Sequence, residues 1–221
     1  TEDKKQDLPA ILKAIDSDTK MIYICNPNNP TGTICDREEL VSFINEATQK
    51  TIVFVDEAYI DFTKEQSLSN LVAENKNLII TKTFSKMYGL AGARIGYAVA
   101  HSVTIENINT LKSSPNDDVS VVSAAGAIAS LNGTNFVKEV YNANEEVKKY
   151  TITQLTLLNL TCIPSYSNFV YFSLENYKKD YFKQLKDHNI MGTKIYEENG
   201  KWTRITIGTM KEMQRFIEAL K

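Results

Sequence analysis

Three short apolar runs in the first half of the chain each end abruptly in polar residues that could do chemistry. Residues 22–25 lead into NPNNPTG, residues 52–55 into DEAY, and residues 78–80 into TKTFSK. Continuous apolar runs are typical of strands in a parallel sheet that is covered on both faces, and ligands bind beyond the carboxyl ends of such strands. An amide, a carboxylate and a lysine are therefore predicted to converge on one crevice.

Asp56 follows four apolar residues, so its carboxylate enters the protein at the edge of a dry region. An isolated ionised carboxylate there costs on the order of several kcal/mol and either takes up a proton or finds a cation. The protonated nitrogen of a heterocyclic cofactor would supply that charge and would be kept protonated in return. The alternatives are a helix N-cap and an ion pair with a neighbouring lysine or arginine.

Lys86 lies in TFSKMYG, shortly after the third run, among residues too small or too apolar for a solvated charge cluster. Partial desolvation frees the lone pair of an amine for Schiff-base formation with a carbonyl. Lys86 is therefore predicted to do covalent chemistry. Lys82, four residues earlier, has no comparable surroundings and is predicted to be an ordinary solvated lysine.

Thr83, Ser85 and Arg94 flank Lys86 in a turn-rich stretch and would suit a phosphate dianion, because arginine binds it bidentately and hydroxyls donate to it. Taken singly, each hydroxyl is more often a turn or cap residue. The glycines of GLAGARIG permit close backbone approach, but they lack GxGxxG spacing, so a dinucleotide site is not indicated.

Asn29 lies between Pro27 and Pro30, which would hold its amide at a fixed geometry against a ligand oxygen. The alternative is a simple turn, since Asn-Pro pairs commonly form turns. Tyr59, three residues after Asp56, could donate its hydroxyl to the same oxygen or could be a core residue.

The composition of the chain excludes several classes of function. Its 221 residues carry 25 basic and 27 acidic side chains with no basic block, so neither nucleic acid nor an anionic membrane surface is an expected partner. Three cysteines without CxxC spacing predict buried thiols and no metal site. No apolar stretch approaches the roughly 20 residues of a membrane span, and residues 1–16 do not resemble a signal peptide, so a cytoplasmic location is predicted.

The first part of the chain alternates apolar strands with amphipathic helices, which predicts an α/β fold with a mostly parallel sheet. Asp36 and Glu39 have capping-box spacing before one of these helices. The buried face of that helix is predicted to consist of Leu40, Phe43, Ile44 and Ala47.

The chain is predicted to divide near Gly133, into residues 1–133 and a smaller α+β unit of residues 134–221. Further strands are predicted in the last part of GLAGARIGYAVA and at 161–163, 169–173 and 204–207, and further helices at 68–74, 124–131, 136–158 and 177–188. Thr209 and Glu212 form a predicted capping box for the final helix.

Five motifs, NPNNPTG, VDEAYIDF, TFSKMYGLAGARIGY, SNFVYF and RITIGT, together span nearly the whole chain. In this order they resemble the fold-type I pyridoxal-phosphate aminotransferases of classes I and II, and most closely the histidinol-phosphate aminotransferases. The resemblance implies that residues 1–133 are the C-terminal part of the large cofactor-binding domain, followed by a small C-terminal domain. It also implies a homodimer.

The resemblance gives each candidate residue a role toward pyridoxal 5'-phosphate. Lys86 would form the Schiff base and shuttle the proton at the α-carbon of the substrate, and Asp56 would hold the pyridine nitrogen protonated. Asn29 and Tyr59 would bind the phenolic oxygen. The remaining residues are Thr83, Ser85 and Arg94 for the phosphate, Arg204 for the anionic group of the substrate, and Asn168 for the substrate side.

Two departures from the family pattern qualify these expectations. The family's chains are longer, and the resemblance places a glycine-rich helix start before Thr1, so the chain is predicted to be a fragment that binds the cofactor poorly and is inactive alone. The stretch NIMGTKIYEENG also lacks an arginine that histidinol-phosphate enzymes carry, with Lys194 as a stand-in. Because lysine does not replace a bidentate arginine, an aromatic amino acid stays open as the donor beside histidinol phosphate.

The predicted reaction is amino-group transfer from such a donor to a 2-oxo acid. Two alternatives stay open: a decarboxylase or lyase on the same scaffold, such as a threonine-phosphate decarboxylase, and a truncated chain that is a noncatalytic binding module.

Overall fold

A computed structural model describes residues 1–111, 119–192, 194–197 and 200–221. Its first sheet consists, in order across the sheet, of β1 (Met21–Cys25), β2 (Ile52–Asp56), β3 (Leu78–Thr83) and β4 (Gly96–Ala100). The first three pair in parallel and β4 runs antiparallel to β3, so the predicted α/β fold with a mostly parallel sheet is confirmed.

The two faces of this sheet differ in burial because side chains alternate along a strand. One face buries Ile24, Val55 and Ile80 completely in the core of the first part of the chain. On the other face Tyr23 is 56% exposed and Ile52 39%, within the described residues. The sheet was predicted to be covered on both faces, but within the described residues only one face packs into a buried core.

A helix beside the sheet, α2 (Arg37–Ala47), supplies the opposing layer of that core. The carboxylate of Asp36 accepts hydrogen bonds from the backbone N–H groups of Glu38 and Glu39 and so starts the helix at the predicted place. All four residues of the predicted inner face are buried: Leu40, Phe43, Ile44 and Ala47.

The second sheet is antiparallel, with the order β5 (Phe169–Ser173), β7 (Trp202–Thr206) and β6 (Ile195–Tyr196). Its core contains Phe172 and Phe216, which meet edge to face with ring centroids 6.4 Å apart. Both halves of the predicted Thr209–Glu212 capping box are present at the start of the last helix. The other helices are α1 (Leu8–Lys13), α3 (Ser102–Thr110), α4 (Val121–Leu131), α5 (Thr134–Leu157), α6 (Tyr181–Asp187) and α7 (Met210–Leu220), with short 3-10 helices at Ile60–Phe62, Leu68–Glu74 and Ala91–Ala93.

Several predicted boundaries in the second half of the chain are wrong. The strand predicted at 161–163 is reduced to one bridge between Cys162 and Phe172, because Pro164 lacks the N–H that would continue the ladder. The helix predicted at 177–188 begins only at Tyr181, since the carboxylate of Asp180 caps the helix through the Lys183 amide. β6 was not predicted, and Thr193, Glu198 and Asn199 around it lie outside the described residues.

Gly133 lies between α4 and the 24-residue helix α5, at the predicted boundary. The division into two domains at this residue stays a prediction. Among the described residues, every helix is too short or too polar to cross a lipid bilayer.

Candidate active site

A cleft of about 700 Å³ is lined by residues from the ends of β1, β2 and β3. Loops that lie far apart in the sequence meet there, as the topology predicts for polar residues that follow parallel strands. The seven residues predicted to hold a cofactor all line this cleft: Asn29, Asp56, Tyr59, Thr83, Ser85, Lys86 and Arg94. Their roles toward a ligand stay predictions.

Asp56 ends β2 with both carboxylate oxygens in hydrogen bonds from neutral groups. Its Oδ2 accepts from the hydroxyl of Tyr23 at 2.7 Å, and its Oδ1 accepts from the N–H of Ala58 at 2.9 Å. In the described part of the chain no lysine or arginine forms an ion pair with Asp56. The negative charge therefore lacks a cationic partner from these residues, and a ligand could supply one.

Lys86 and Tyr59 lie near each other in the lining of the cleft. The Nζ atom of Lys86 lies 5.6 Å from the centroid of the Tyr59 ring. Tyr59 is buried and packs edge to face against Phe169, with centroids 5.2 Å apart. Burial raises the pKa of the Tyr59 hydroxyl, and the charge of Arg204 partly opposes this rise. Lys86 itself is exposed, so the partial desolvation expected from the sequence is not seen.

The loop after β3 is tightly folded around the predicted phosphate-binding residues. The hydroxyl of Thr83 accepts a hydrogen bond from the N–H of Ser85 at 3.1 Å. Arg94 has a left-handed backbone with φ of 52°, and its guanidinium donates to the carbonyl of Ala91 at 3.0 Å. A Cβ atom at Gly96 would lie 2.7 Å from the carbonyl oxygen of Lys82, so this position requires glycine.

The prediction for Lys82 is wrong. Its Nζ lies 3.0 Å from Oδ1 of Asp61, and the two side chains are only 16% and 20% exposed. Burial alone would lower the pKa of Lys82, but the charge and hydrogen bond of Asp61, with smaller effects from Tyr97 and Glu57, together raise it. The reason lies in strand alternation, which puts Lys82 on the same face of β3 as the buried Ile80, opposite Tyr97 of β4.

Arg204 of the second sheet contacts Asn29, a cleft residue 175 positions away in the sequence. Its guanidinium donates a hydrogen bond to Oδ1 of Asn29 at 2.6 Å. The guanidinium carbon also lies 4.7 Å from the ring centroid of Phe169 and 6.0 Å from that of Tyr196. The structure thus brings together Arg204 and Asn29, which were predicted to serve the substrate and the cofactor respectively.

Asn168 does not line this cleft. It lines a neighbouring, mostly apolar cavity of about 440 Å³, which shares Lys86 with the cleft. Lys194 is exposed, and its Nζ lies 5.1 Å from the ring centroid of Tyr196. Lys194 and Arg204 therefore contact the same aromatic ring.

Tyr23 and Gln6 are among the lining residues that sequence reasoning did not single out. Tyr23 binds Asp56, and the amide of Gln6 donates to Asn28 at 3.4 Å and to the carbonyl of Cys25. Alternation along β1 could have indicated Tyr23, since it lies two residues before the residue opposite Asp56. Gln6 lies in a segment without a strand or helix pattern, so the sequence carries no comparable signal for it.

The sequence and the fold match a known family of enzymes. A family model described as "Aminotransferase class I and II" matches residues 1–220. The chain therefore belongs to this family of aminotransferases.

Individual relatives show which aminotransferases of this family the chain is similar to. The chain is 34% identical over 226 residues to a histidinol-phosphate aminotransferase of Moorella thermoacetica, covering 100% of this chain and 58% of the relative. A crystal structure of the Sinorhizobium meliloti histidinol-phosphate aminotransferase, in complex with pyridoxal-5'-phosphate, superposes with a TM-score of 0.90 and 28% identity, covering 100% of this chain and 61% of the other.

A decarboxylase from Sulfurospirillum multivorans shares the fold, with a TM-score of 0.84 and 21% identity, covering 99% of this chain and 66% of that chain. At this identity the likeness concerns the fold alone. The chain spans about three fifths of the length of the curated relatives it matches.

Proposed function

We propose that the protein containing this chain is a pyridoxal-phosphate-dependent aminotransferase that moves an amino group between a small-molecule donor and a 2-oxo acid. The observation that carries the proposal is that one cleft contains both the amine of Lys86 and the carboxylate of Asp56, and that no cation of the described residues forms an ion pair with this carboxylate. Family membership and the relatives' names support it.

The chemistry of the cleft fits this cofactor at three points. Asp56 offers a negative charge to a protonated ring nitrogen, and it still has acceptor capacity beside its two hydrogen bonds. Ser85 and Arg94 offer a hydroxyl and a guanidinium to a phosphate. Lys86 offers an exposed primary amine to an aldehyde.

Pyridoxal phosphate, when bound, supplies an electron sink for the negative charge that develops at the α-carbon of the substrate. Asp56 would keep the ring nitrogen protonated, and the Asn29 amide and the Tyr59 hydroxyl would bind the phenolic oxygen. Thr83, together with Ser85 and Arg94, would hold the phosphate. Lys86 would bind the aldehyde and then carry the proton at the α-carbon.

The substrate would bind on the side of Arg204, whose guanidinium is a fork suited to a carboxylate or phosphate. Lys194 adds a second positive charge next to the same ring of Tyr196. Two cations near one site suit a donor with an anionic group, and the names of the relatives favour histidinol phosphate. An aromatic amino acid is the competing donor, and Asn168 would contact the substrate from the neighbouring cavity.

Because no helix of the described residues could cross a membrane and the charge is nearly balanced, we further propose a cytoplasmic enzyme of amino-acid biosynthesis. We also propose that it is a homodimer, as the resemblance to the family implies. Neither nucleic acid nor a membrane is among the proposed partners.

Half-reactions of the full-length protein test the proposal. The protein is loaded with pyridoxal phosphate and mixed with histidinol phosphate or an aromatic amino acid, without a 2-oxo acid. Transamination predicts loss of the absorbance of the lysine-bound cofactor, and its return when a 2-oxo acid is added. A Lys86→Ala variant should show neither change, whereas Lys50→Ala, at an exposed position just after α2, should behave as the wild type.

Two other outcomes would replace the proposal. Release of carbon dioxide without a 2-oxo acid acceptor would identify a decarboxylase, such as a threonine-phosphate decarboxylase. A folded protein that never binds pyridoxal phosphate would identify a noncatalytic module.

A further inference from the structure

We infer that Tyr23 is a positioning residue for the cofactor nitrogen, which acts by holding the carboxylate of Asp56 in place. The inference rests on the proposed function. Its observation is a hydrogen bond of 2.7 Å from the Tyr23 hydroxyl to Oδ2 of Asp56, two residues that line the same cleft on neighbouring strands.

The sheet register explains why these two groups meet. Cys25 lies opposite Asp56 and Tyr23 lies opposite Phe54, so Tyr23 and Asp56 are diagonal neighbours on one face of the sheet. Diagonal neighbours are within reach of long aromatic side chains. The Tyr23 ring stacks on Phe54 with centroids 5.7 Å apart and an interplanar angle of 26°, which holds the ring along the strand toward Asp56.

The hydrogen bond fixes the second of the two carboxylate oxygens. Oδ1 is held by the backbone N–H of Ala58 at 2.9 Å, and without Tyr23 the carboxylate could rotate about that single anchor. Hydrogen bonds to an ionised group are roughly twice as strong as those between neutral groups. Two such bonds, one from β1 and one from the turn after β2, therefore fix the plane in which Asp56 presents its charge.

The hydroxyl of Tyr23 remains a donor over the whole working range of pH. Partial burial raises its pKa, and the hydrogen bond to Asp56 raises it further. A neutral donor at this position stabilises the charge of Asp56 without neutralising it. A lysine at the same position would pair with the carboxylate and compete with a cationic ring nitrogen.

A double-mutant cycle in the full-length protein tests the inference, with pyridoxal phosphate as the probe. Tyr23→Phe removes one oxygen and keeps the ring on Phe54, so folding should be preserved. The dissociation constant is expected to rise about tenfold, as for the loss of one hydrogen bond to a charged group. The absorbance maximum of the bound cofactor is expected to shift as well.

The cycle separates positioning through Asp56 from a general structural role. In an Asp56→Asn background the same Tyr23→Phe change is expected to alter the dissociation constant by at most about twofold, because the charge that Tyr23 serves is gone. Tyr166→Phe is the matched control, since Tyr166 is also exposed, at 43%, and does not line the cleft. It should leave the affinity and the spectrum unchanged.

An equal loss of affinity in both backgrounds would overturn the inference, as would a Tyr23→Phe protein with the affinity and spectrum of the wild type. These results are distinct from failure of the proposed function. If the wild-type protein forms no borohydride-reducible adduct with pyridoxal phosphate, both proposals fall. If it forms the adduct at Lys86 and Tyr23→Phe changes nothing, only the role of Tyr23 falls.

Discussion

Replacing Asp61 by asparagine is expected to destabilise the protein by about 1 to 3 kcal/mol, because it leaves the Lys82 ammonium without its partner. At 3.0 Å the two charges attract each other by roughly 5 kcal/mol at an effective dielectric constant of about 20. Desolvation offsets part of this, since the side chains are only 16% and 20% exposed. The loss should therefore fall between that of an exposed pair and that of a fully buried one.

Urea denaturation measures the free energy of unfolding, and a second ion pair provides the control. Lys183 and Asp187 are 2.7 Å apart but 66% and 50% exposed, so Asp187→Asn should leave the free energy of unfolding nearly unchanged. Combining Asp61→Asn with Lys82→Met should recover most of the loss, because no unpaired charge remains. Equal costs at the two sites would refute the argument from burial.

The pH dependence of the Asp61–Lys82 contribution has a defined sign. The pKa of Lys82 is raised above its ordinary value of 10.5 in the folded state. The contribution is therefore fully present below about pH 10.5 and is lost as the pH rises through the higher folded value. The difference in stability between wild type and Asp61→Asn should stay constant at neutral pH and shrink in strong alkali.

Three further substitutions test the loop after β3, the last helix and the substrate side. Gly96→Ala should lower the free energy of unfolding by about 1 to 3 kcal/mol, because its Cβ would lie 2.7 Å from the Lys82 carbonyl oxygen. Gly92→Ala is the control: a Cβ there meets no atom within 4 Å, so the same urea assay should show a change of at most about 0.5 kcal/mol. Thr209→Ala should cost about 1 kcal/mol in that assay by removing the capping box, and an unchanged stability would deny its role. Arg204→Lys keeps the charge but loses the fork, so steady-state kinetics should show a KM for the amino donor about tenfold higher, and an unchanged KM would exclude the substrate role.

The first half of the fold could be predicted from the sequence because local signals and tertiary structure agree there. The apolar runs ending at Cys25 and Val55 are strands of the parallel sheet, and Asp36 caps α2 as its position indicates. In the second half the signals conflict. The apolar run at 161–163 meets Pro164 and pairs at one bridge only, which periodicity alone could not reveal.

The candidate site was predictable where chemistry depends on residues at strand ends, and not where it depends on pairing between strands. Asp56 and Lys86 could be found because each follows an apolar run. The bond from Tyr23 to Asp56 requires the register of β1 against β2, and the ion pair of Lys82 with Asp61 requires knowing which face of β3 is covered. Alternation can place Tyr23 on the cleft face of β1, but the partner of neither residue is encoded in the spacing along the chain.

The most direct test of the account is to reduce the full-length protein with borohydride in the presence of pyridoxal phosphate and to map the labelled tryptic peptide. A labelled lysine blocks cleavage, so modification of Lys86 gives a peptide of residues 83–94, whereas modification of Lys82 gives residues 77–86. If Lys86 is the amine that binds the aldehyde, the label is expected in 83–94, with weaker labelling in an Asp56→Asn variant. A folded protein labelled instead at Lys82, or labelled equally well without the Asp56 carboxylate, would contradict it.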